Sequence, residues 1–462
     1  MSQVARAGRF ATLSWKGGGG QAQSDCLSPP QPWLGILIFK LRYKEKNMFR
    51  KTLILALLIA LLAACAPQPT PVATQPPATI EPTPAAPVIV TPETNLTDGC
   101  IIEGEFDASI DYFPEKATLT HTDGFTVEYF NNYKIVTVAT PYPGATESVQ
   151  YVLVQCGTPA PEGFLDEQIV EVPIQSIVTM STTYLPFLDD LGVLDRLVGL
   201  DDATYVSNPT VLKMAEEGKL TMIGYGSGVN VEQTLELSPD VVMTYGSGFP
   251  DYDAHPVLLD AGLKVVLNAE WLDTSPLGRA EWGKFIAAFF NKEAAAEALF
   301  ADTVQKYNDL MALVADVADK PTVFTNSDYQ GTWSMPGGNS YAAAFIKDAG
   351  GDYLWSDDPS TGSLPLAFEA VFERAQNADY WLNIGFFFTL EDLKAADARY
   401  ADFAAFQSGD IWNNDAKTSA AGGNDFYESA VAHPEVVLAD LVKILHPDLL
   451  PDHELVYYRQ MK

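Results

Sequence analysis

The side chains with the most chemical content are aromatics and hydroxyls placed just after short apolar runs. Ser181, Thr182, Thr183 and Tyr184 follow the run Ser176–Met180. Asp201, Asp202 and Tyr205 follow Arg196–Leu200, and Tyr225 and Ser227 follow Leu220–Ile223. Tyr245 and Ser247 follow Asp240–Thr244, and Glu270 and Trp271 follow Lys264–Leu267. In the second half, Tyr329, Trp333 and Met335 follow Thr322–Thr325, and Phe386 follows Tyr380–Ile384. Trp412 sits with Asn413 and Asn414 in a polar stretch. Tyr and Trp offer wide rigid faces with a polar tip, which suits contact with a bulky, partly apolar ligand. Ser181, Thr182, Tyr184, Tyr205, Tyr225, Tyr245, Trp271, Tyr329, Trp333, Phe386 and Trp412 are the predicted ligand contacts. Core packing is the commoner explanation for any one of them; as a converging set they read as a binding surface.

Catalytic patterns are missing from the sequence. There is no G-x-S-x-G elbow, no H-E-x-x-H and no recognisable Cys-His spacing. Gly224-Tyr225-Gly226-Ser227-Gly228 lacks the spacing of a dinucleotide fingerprint and the lysine of a P-loop, so it reads as a turn. His121, His255, His433, His446 and His453 are scattered, which argues against a bare zinc or manganese ligand and leaves no resident cofactor to propose. An exported hydrolase remains a second class of function, and an adhesive or sensory lipoprotein a third.

The elements that would position these residues follow from periodicity. From Pro173 onward short β-rich runs alternate with helical segments, which implies a mostly parallel sheet with helices on both faces. In such sheets ligands bind outside the carboxyl ends of the strands, where the chosen residues fall. Between the two alternating halves lies Asn291–Asp319, with Ala296, Phe300, Val304, Tyr307, Met311, Val314 and Ala318 on one helical stripe. Asn291 is the expected N-cap, and Lys320-Pro321 the stop. A helix of that length spans roughly 40 Å, long enough to join two lobes.

Residues 98–165 alternate differently. Phe125–Phe130, Tyr133–Val138 and Val149–Val154 read as strands, with Asn131-Asn132 as a hairpin turn. Cys100 and Cys156 flank this β-rich unit and are placed to pair in an oxidising compartment; two free buried thiols are the alternative. Ahead of it, 66–97 is a Pro/Thr-rich linker that cannot build a core and could reach up to ~90 Å. Residues 48–65 read as an export signal: Arg50-Lys51, the apolar run Leu53–Leu62, then Leu62-Ala63-Ala64-Cys65. Residues 1–47 read as an extension upstream of the true start. The net charge is −32, and nine basic against two acidic residues precede Cys65, so the remainder is more acidic still. Nucleic acid is excluded as a partner on electrostatic grounds.

Two stretches carry a family resemblance: VPIQSIVTMSTTYLPFLDDLGVLDRLVGL at Val172–Leu200 and NVEQTLELSPDVVM at Asn230–Met243. They resemble the substrate-binding lipoproteins of ABC importers for ferric siderophores, haem and vitamin B12. The likeness runs over roughly 170–460. It implies two Rossmann-like α/β lobes (166–275 and 320–462) joined by one long helix within a helical connector (276–319), with the 98–165 unit an addition. It implies a ligand between the lobes, an ABC permease as partner and no catalysis, with the protein acting as a monomer. Leu-Ala-Ala-Cys resembles a lipobox, which makes Cys65 the lipidated first residue of an exported protein. The protein would then sit on the outer face of the cytoplasmic membrane or in the periplasm. The family also presents one acid on each lobe to permease arginines; Glu369 matches on one lobe, and Asp251 or Asp253 on the other.

Overall fold

The computed structural model describes residues 91–462; the stretch read as an export signal, Cys65 and most of the expected linker lie outside them. Among the described residues no helix is long and apolar enough to cross a membrane.

Three layers of structure follow the chain. The first sheet has the order β1-β2-β3-β4: β1 (Phe125–Tyr129), β2 (Tyr133–Val138), β3 (Val149–Gln155) and β4 (Ile169–Val172). β1–β3 are antiparallel, with Phe130 and Tyr133 hydrogen-bonded across the Asn131-Asn132 turn. β4 joins β3 in parallel, so this sheet draws its last strand from beyond the expected boundary at residue 165. Cys100 and Cys156 form a disulfide, with Cα atoms 4.9 Å apart.

The N-lobe then runs β5 (Ile177–Thr179), α1 (Leu185–Asp190), β6 (Leu197–Leu200), α2 (Pro209–Glu216), β7 (Thr221–Met222), α3 (Val231–Leu237), β8 (Val241–Thr244), α4 (His255–Asp260) and β9 (Val265–Leu267). All its pairings are parallel, in the order β7-β6-β5-β8-β9. Chain order reverses at β5, a switch point of the kind that opens a crevice at the strand ends. The connector follows as α5 (Pro276–Glu281), α6 (Gly283–Phe289) and the 22-residue α7 (Glu293–Val314).

The C-lobe contains β10 (Thr322–Thr325), β11 (Asp328–Tyr329), β12 (Thr332–Pro336), α8 (Tyr341–Asp348), β13 (Asp352–Tyr353), β14 (Ser363–Leu366), α9 (Phe368–Ala375), β15 (Tyr380–Leu382), α10 (Leu390–Ala396), α11 (Ala404–Ser408), β16 (Ile411–Asn413), α12 (Pro434–Leu445) and β17 (Arg459–Gln460). Its main sheet has the order β13-β10-β15-β16-β17, parallel except for the last strand. A small antiparallel sheet, β11-β12-β14, was not expected from the sequence.

The long helix is present but shorter than its apolar stripe. Ala296, Phe300, Tyr307 and Val314 are buried, whereas Met311 and Ala318 are exposed. Asn291 is not its N-cap. It sits in the left-handed region, φ +55°, wholly buried, and Lys292 occupies the cap position without a side-chain bond. The reason is a polar cluster beneath the first sheet. Lys134 Nζ from β2 pairs with Glu293 in the first helical turn and donates to Asn291 Oδ1 at 3.0 Å. Asn291 Nδ2 donates to Gln155 Oε1 and to the Leu96 carbonyl, and Asn95 Nδ2 donates to Glu293 Oε2.

A second clamp lies one turn away. The Glu281 carboxylate accepts the backbone N–H groups of Thr120, His121 and Thr122, at 2.6 to 3.0 Å, and pairs with Lys284. Burial pushes this carboxyl up, but the three amides and Lys284 outweigh it and hold it below the usual range. Lys284 also donates to the Thr118 carbonyl and pairs with Glu297. Apolar residues of the first sheet, the N-lobe and α6 share one continuous core, so the extra β unit is a layer of the N-lobe and not a separate bead.

The lobes meet through Val431 and Ala432, which pack into the N-lobe core, and through a few polar contacts. Glu428 accepts from Ser207 N and Asn208 N, both at 2.7 Å, and is buried. His433 Nε2 lies 3.3 Å from Asp190, and the Arg279 guanidinium stacks 3.9 Å from the Tyr341 ring centroid.

Two predictions follow from these contacts. Replacing one partner of the buried pair, Lys134→Met or Glu293→Leu, leaves an unpaired buried charge and lowers stability by about 3 kcal/mol or more in urea titrations. The double variant recovers part of that loss; equal loss in single and double variants would refute the pairing. The second concerns Glu428, whose carboxyl is pushed up to about 7, chiefly by burial and opposed by the Ser207 and Asn208 amides. The folded state therefore holds this proton more tightly than the unfolded state, whose value is near 4.5. Its contribution to stability is complete below that value and is lost as pH rises to about 7. Urea titrations across that range should show a shallower decline in Glu428→Gln than in the parent protein.

Candidate functional site between the lobes

The site is built from loops that leave the carboxyl ends of two parallel sheets. Residues 180–184 follow β5, and Ser181 Oγ caps the turn by accepting from Thr183 N. Ser181 and Thr182 are half-buried. Residues 201–208 follow β6 and carry Tyr205, which is 69% exposed. The glycine-rich stretch after β7 is a short 3-10 turn, as its composition suggests, with Gly224 and Gly226 at positive φ. It holds out Tyr225, 71% exposed. Ser227 Oγ donates to the Asp251 carbonyl, tying this turn to the loop after β8. Tyr245, in that loop, is half-buried; its hydroxyl is pushed up by burial, then by Asp201 and Asp253.

After β9 the chain turns through Glu270 and Trp271. Glu270 is buried and accepts from Trp271 N at 2.7 Å. Burial pushes its carboxyl up, opposed by the Thr183 hydroxyl, Arg279 and the Trp271 amide. Arg279 from α5 donates to the carbonyls of Trp271 and Asp273 and so fixes the loop. Trp271 keeps part of its ring exposed. A cavity of about 440 Å³ lies behind this loop, against residues 121–124, and none of the exposed aromatics lines it.

On the C-lobe, Ser327 Oγ donates to the Ile384 carbonyl, and Asn413 Nδ2 to the Gly385 carbonyl. These bonds hold together the loops that present Tyr329 and Phe386, which is 94% exposed. Across the opening, a Cβ on Gly423 would collide with the Tyr205 carbonyl, so the loops around 205 and 423 touch. The Arg279–Tyr341 stack adds a contact between the connector and the C-lobe.

Several expected contacts are not available to a ligand. Tyr184 is wholly buried and its hydroxyl donates to the Asn268 carbonyl. Trp333 is wholly buried, and its indole N–H donates to the Thr325 carbonyl. The cause is the small sheet: Gln330 and Gly331, both at positive φ, make a two-residue hairpin turn, and β12 alternates Trp333 and Met335 inward. Trp412 differs from these two: it lies within β16 and not in a loop, but stays half-buried against the C-lobe core. Asp253 is also corrected. Its buried carboxylate accepts from Ser247 N, Ser247 Oγ and Gly248 N, so it shapes the loop and faces no partner. Asp251 is exposed, as is Glu369, which pairs with Arg399 at 3.0 Å. Phe249, Tyr252 and Tyr427 are exposed aromatics that the sequence reading did not select; Phe249 and Tyr252 share a loop with Tyr245, which was the available signal. Among the described residues no group of three or more His, Cys, Asp or Glu side chains could hold a metal ion.

The periplasmic binding protein family matches residues 177–415. An uncharacterized lipoprotein of Methanocaldococcus jannaschii is 30% identical over 327 residues, covering 68% of this chain and 80% of its own. A second uncharacterized lipoprotein of the same organism is 28% identical over 296 residues, covering 61% and 67%. Among solved structures, a periplasmic heme binding protein from Pseudomonas aeruginosa is 19% identical, with a TM-score of 0.48 over 63% of this chain and 98% of its own. A possible iron-binding (periplasmic solute-binding) protein from Staphylococcus epidermidis is 17% identical, with a TM-score of 0.47 over 59% and 99%. With its matched region spanning both parallel sheets and the helix between them, the chain belongs to the periplasmic binding protein family.

Proposed function

We propose that this protein captures a large metal chelate between its lobes and delivers it to an ABC permease. The chelate is a ferric siderophore, haem or a cobalamin-type ligand. The reading is of a binding protein and not an enzyme, acting as a monomer. It is exported and held through a lipid on Cys65 at the outer face of the cytoplasmic membrane or in the periplasm; the curated relatives are themselves named lipoproteins. The observation that carries the reading is the set of free aromatic faces on strand-end loops of both lobes: Tyr205, Tyr225 and Trp271 on one, Tyr329 and Phe386 on the other. A flat or globular chelate gains most from such faces, because it buries apolar area without needing many fixed hydrogen bonds.

Titration of the purified protein with ferric siderophores, haem and cobalamin tests the reading through quenching of Trp271 fluorescence. Trp271→Ala and Phe386→Ala should each lower affinity about tenfold, as truncated anchor residues do. Trp333→Phe should not, because that ring is sealed in the C-lobe core. Micromolar binding of an oligosaccharide, with no chelate bound, would favour the second reading, since sugar rings also stack on aromatics.

Delivery has its own test. Asp251 and Glu369 are the exposed acids proposed to meet the permease, and Glu369 must exchange Arg399 for the partner's cation on docking. Glu369→Lys should reduce uptake and permease binding while leaving ligand affinity unchanged. Loss of ligand affinity with intact permease binding would reverse the assignment.

A further inference from the structure

The charge of the cleft loops is one-sided. The five N-lobe loops that follow strands, 180–184, 201–208, 223–230, 245–254 and 268–275, contain Asp201, Asp202, Asp251, Asp253, Glu270 and Asp273 but no lysine or arginine. On the C-lobe, residues 326–331, 383–389 and 414–433 add Asp328, Asp415, Asp425 and Glu428 against a single lysine, Lys417.

Three cations near these loops are already engaged. Lys417 pairs with Asp425 at 2.7 Å. Arg459 pairs with Asp415 and donates to the Phe388 carbonyl. Arg279 is held by two carbonyls and the Tyr341 ring. Asp201, at the end of β6 beside the switch strand β5, has no cationic partner among the described residues; its one side-chain bond is from the Asp202 amide. Burial pushes its carboxyl up to about 6, as expected of an acid that lacks a compensating charge.

Taking the interlobe cleft as the binding site proposed above, we infer that its ligand carries a net positive charge, recognised by Asp201, Asp202 and Asp251, acids of the N-lobe loops that stay accessible. The exposed aromatics on the same loops point the same way, because a ring face attracts a cation and not an anion. A cleft lined by one sign of charge also concentrates ligands of the other sign and repels its own. Among ferric chelates this separates two chemistries. Three hydroxamates neutralise the ferric ion, so a pendant ammonium makes the complex cationic. Three catecholates leave a trianion, which the N-lobe loops have no arginine or lysine to meet. Haem, with its two propionates, falls on the unfavoured side.

The test uses matched probes on the full chain: a linear ferric trihydroxamate with a free terminal ammonium, its N-acetylated neutral form, a ferric tris-catecholate, haem and cobalamin. The ammonium form should bind about fivefold tighter than the acetylated form at low salt, the size of one partly exposed charge pair. That preference should shrink as salt rises, because the charges are screened. It should also shrink in Asp201→Asn, whose thermal melting is checked against the parent; the probe pair in the unmutated protein stands without the variant. Equal binding of the two trihydroxamates, or tightest binding of the catecholate, haem or cobalamin, overturns the charge inference and leaves the chelate reading intact. No binding of any probe removes the chelate reading itself, and this inference with it.

Discussion

The buried pair between Lys134 and Glu293 is the constraint on which the rest of the architecture depends. Both side chains are fully inaccessible, and burial pushes the Lys134 ammonium down despite its partner. Ions in such a place cost free energy unless every hydrogen-bonding direction is met. Here Asn291 takes one ammonium hydrogen, and the Phe113 ring lies 4.7 Å from Nζ. Glu293 sits in the first turn of α7, where the helix dipole favours an acid. The arrangement fixes one register between the β2 strand and the start of the spine helix, and any slip would strand two charges.

That register propagates. Glu281 gathers three consecutive amides of the 120–122 segment, and Lys284 ties the same region to Glu297 on α7. The extra sheet, the connector and the long helix are thereby joined around the core that also supports the N-lobe sheet. The lobes themselves meet over a smaller area: Val431 and Ala432 enter the N-lobe core, Glu428 accepts from two loop amides, and His433 lies beside Asp190, while Arg279 of the connector stacks over Tyr341. The scaffold behind the cleft is thus a packed core, while the cleft edges are joined by single side chains.

On this frame the cleft needs few special features. Parallel strands deliver their loops to one end of each sheet, and serine, asparagine and arginine bonds hold those loops in shape. The aromatics are left free because the polar groups, not the rings, anchor the loops. The acidic side chains nearby divide into two kinds. Asp253 is consumed by backbone amides, and Asp201 is left without a cation.

The sequence by itself determined the two alternating α/β regions and the helix between them, because burial leaves a period of two or of about 3.6 in the residue pattern. It also placed Tyr205, Tyr225, Trp271 and Phe386 after strands, since that needs only the order of elements. Tertiary structure alone decided which aromatics are free. Trp333 follows β10 as the others follow their strands, yet a Gln-Gly hairpin folds it inward; its alternation with Met335 was a signal that a loop assignment hides. Asn291 carries the chemistry of a cap but serves a lysine 157 residues away. Asp251 and Asp253 are two residues apart, and only the curl of the loop around Ser247 and Gly248 buries one and exposes the other. In each case the deciding partner is distant in sequence or set by backbone geometry, and local periodicity carries no record of it.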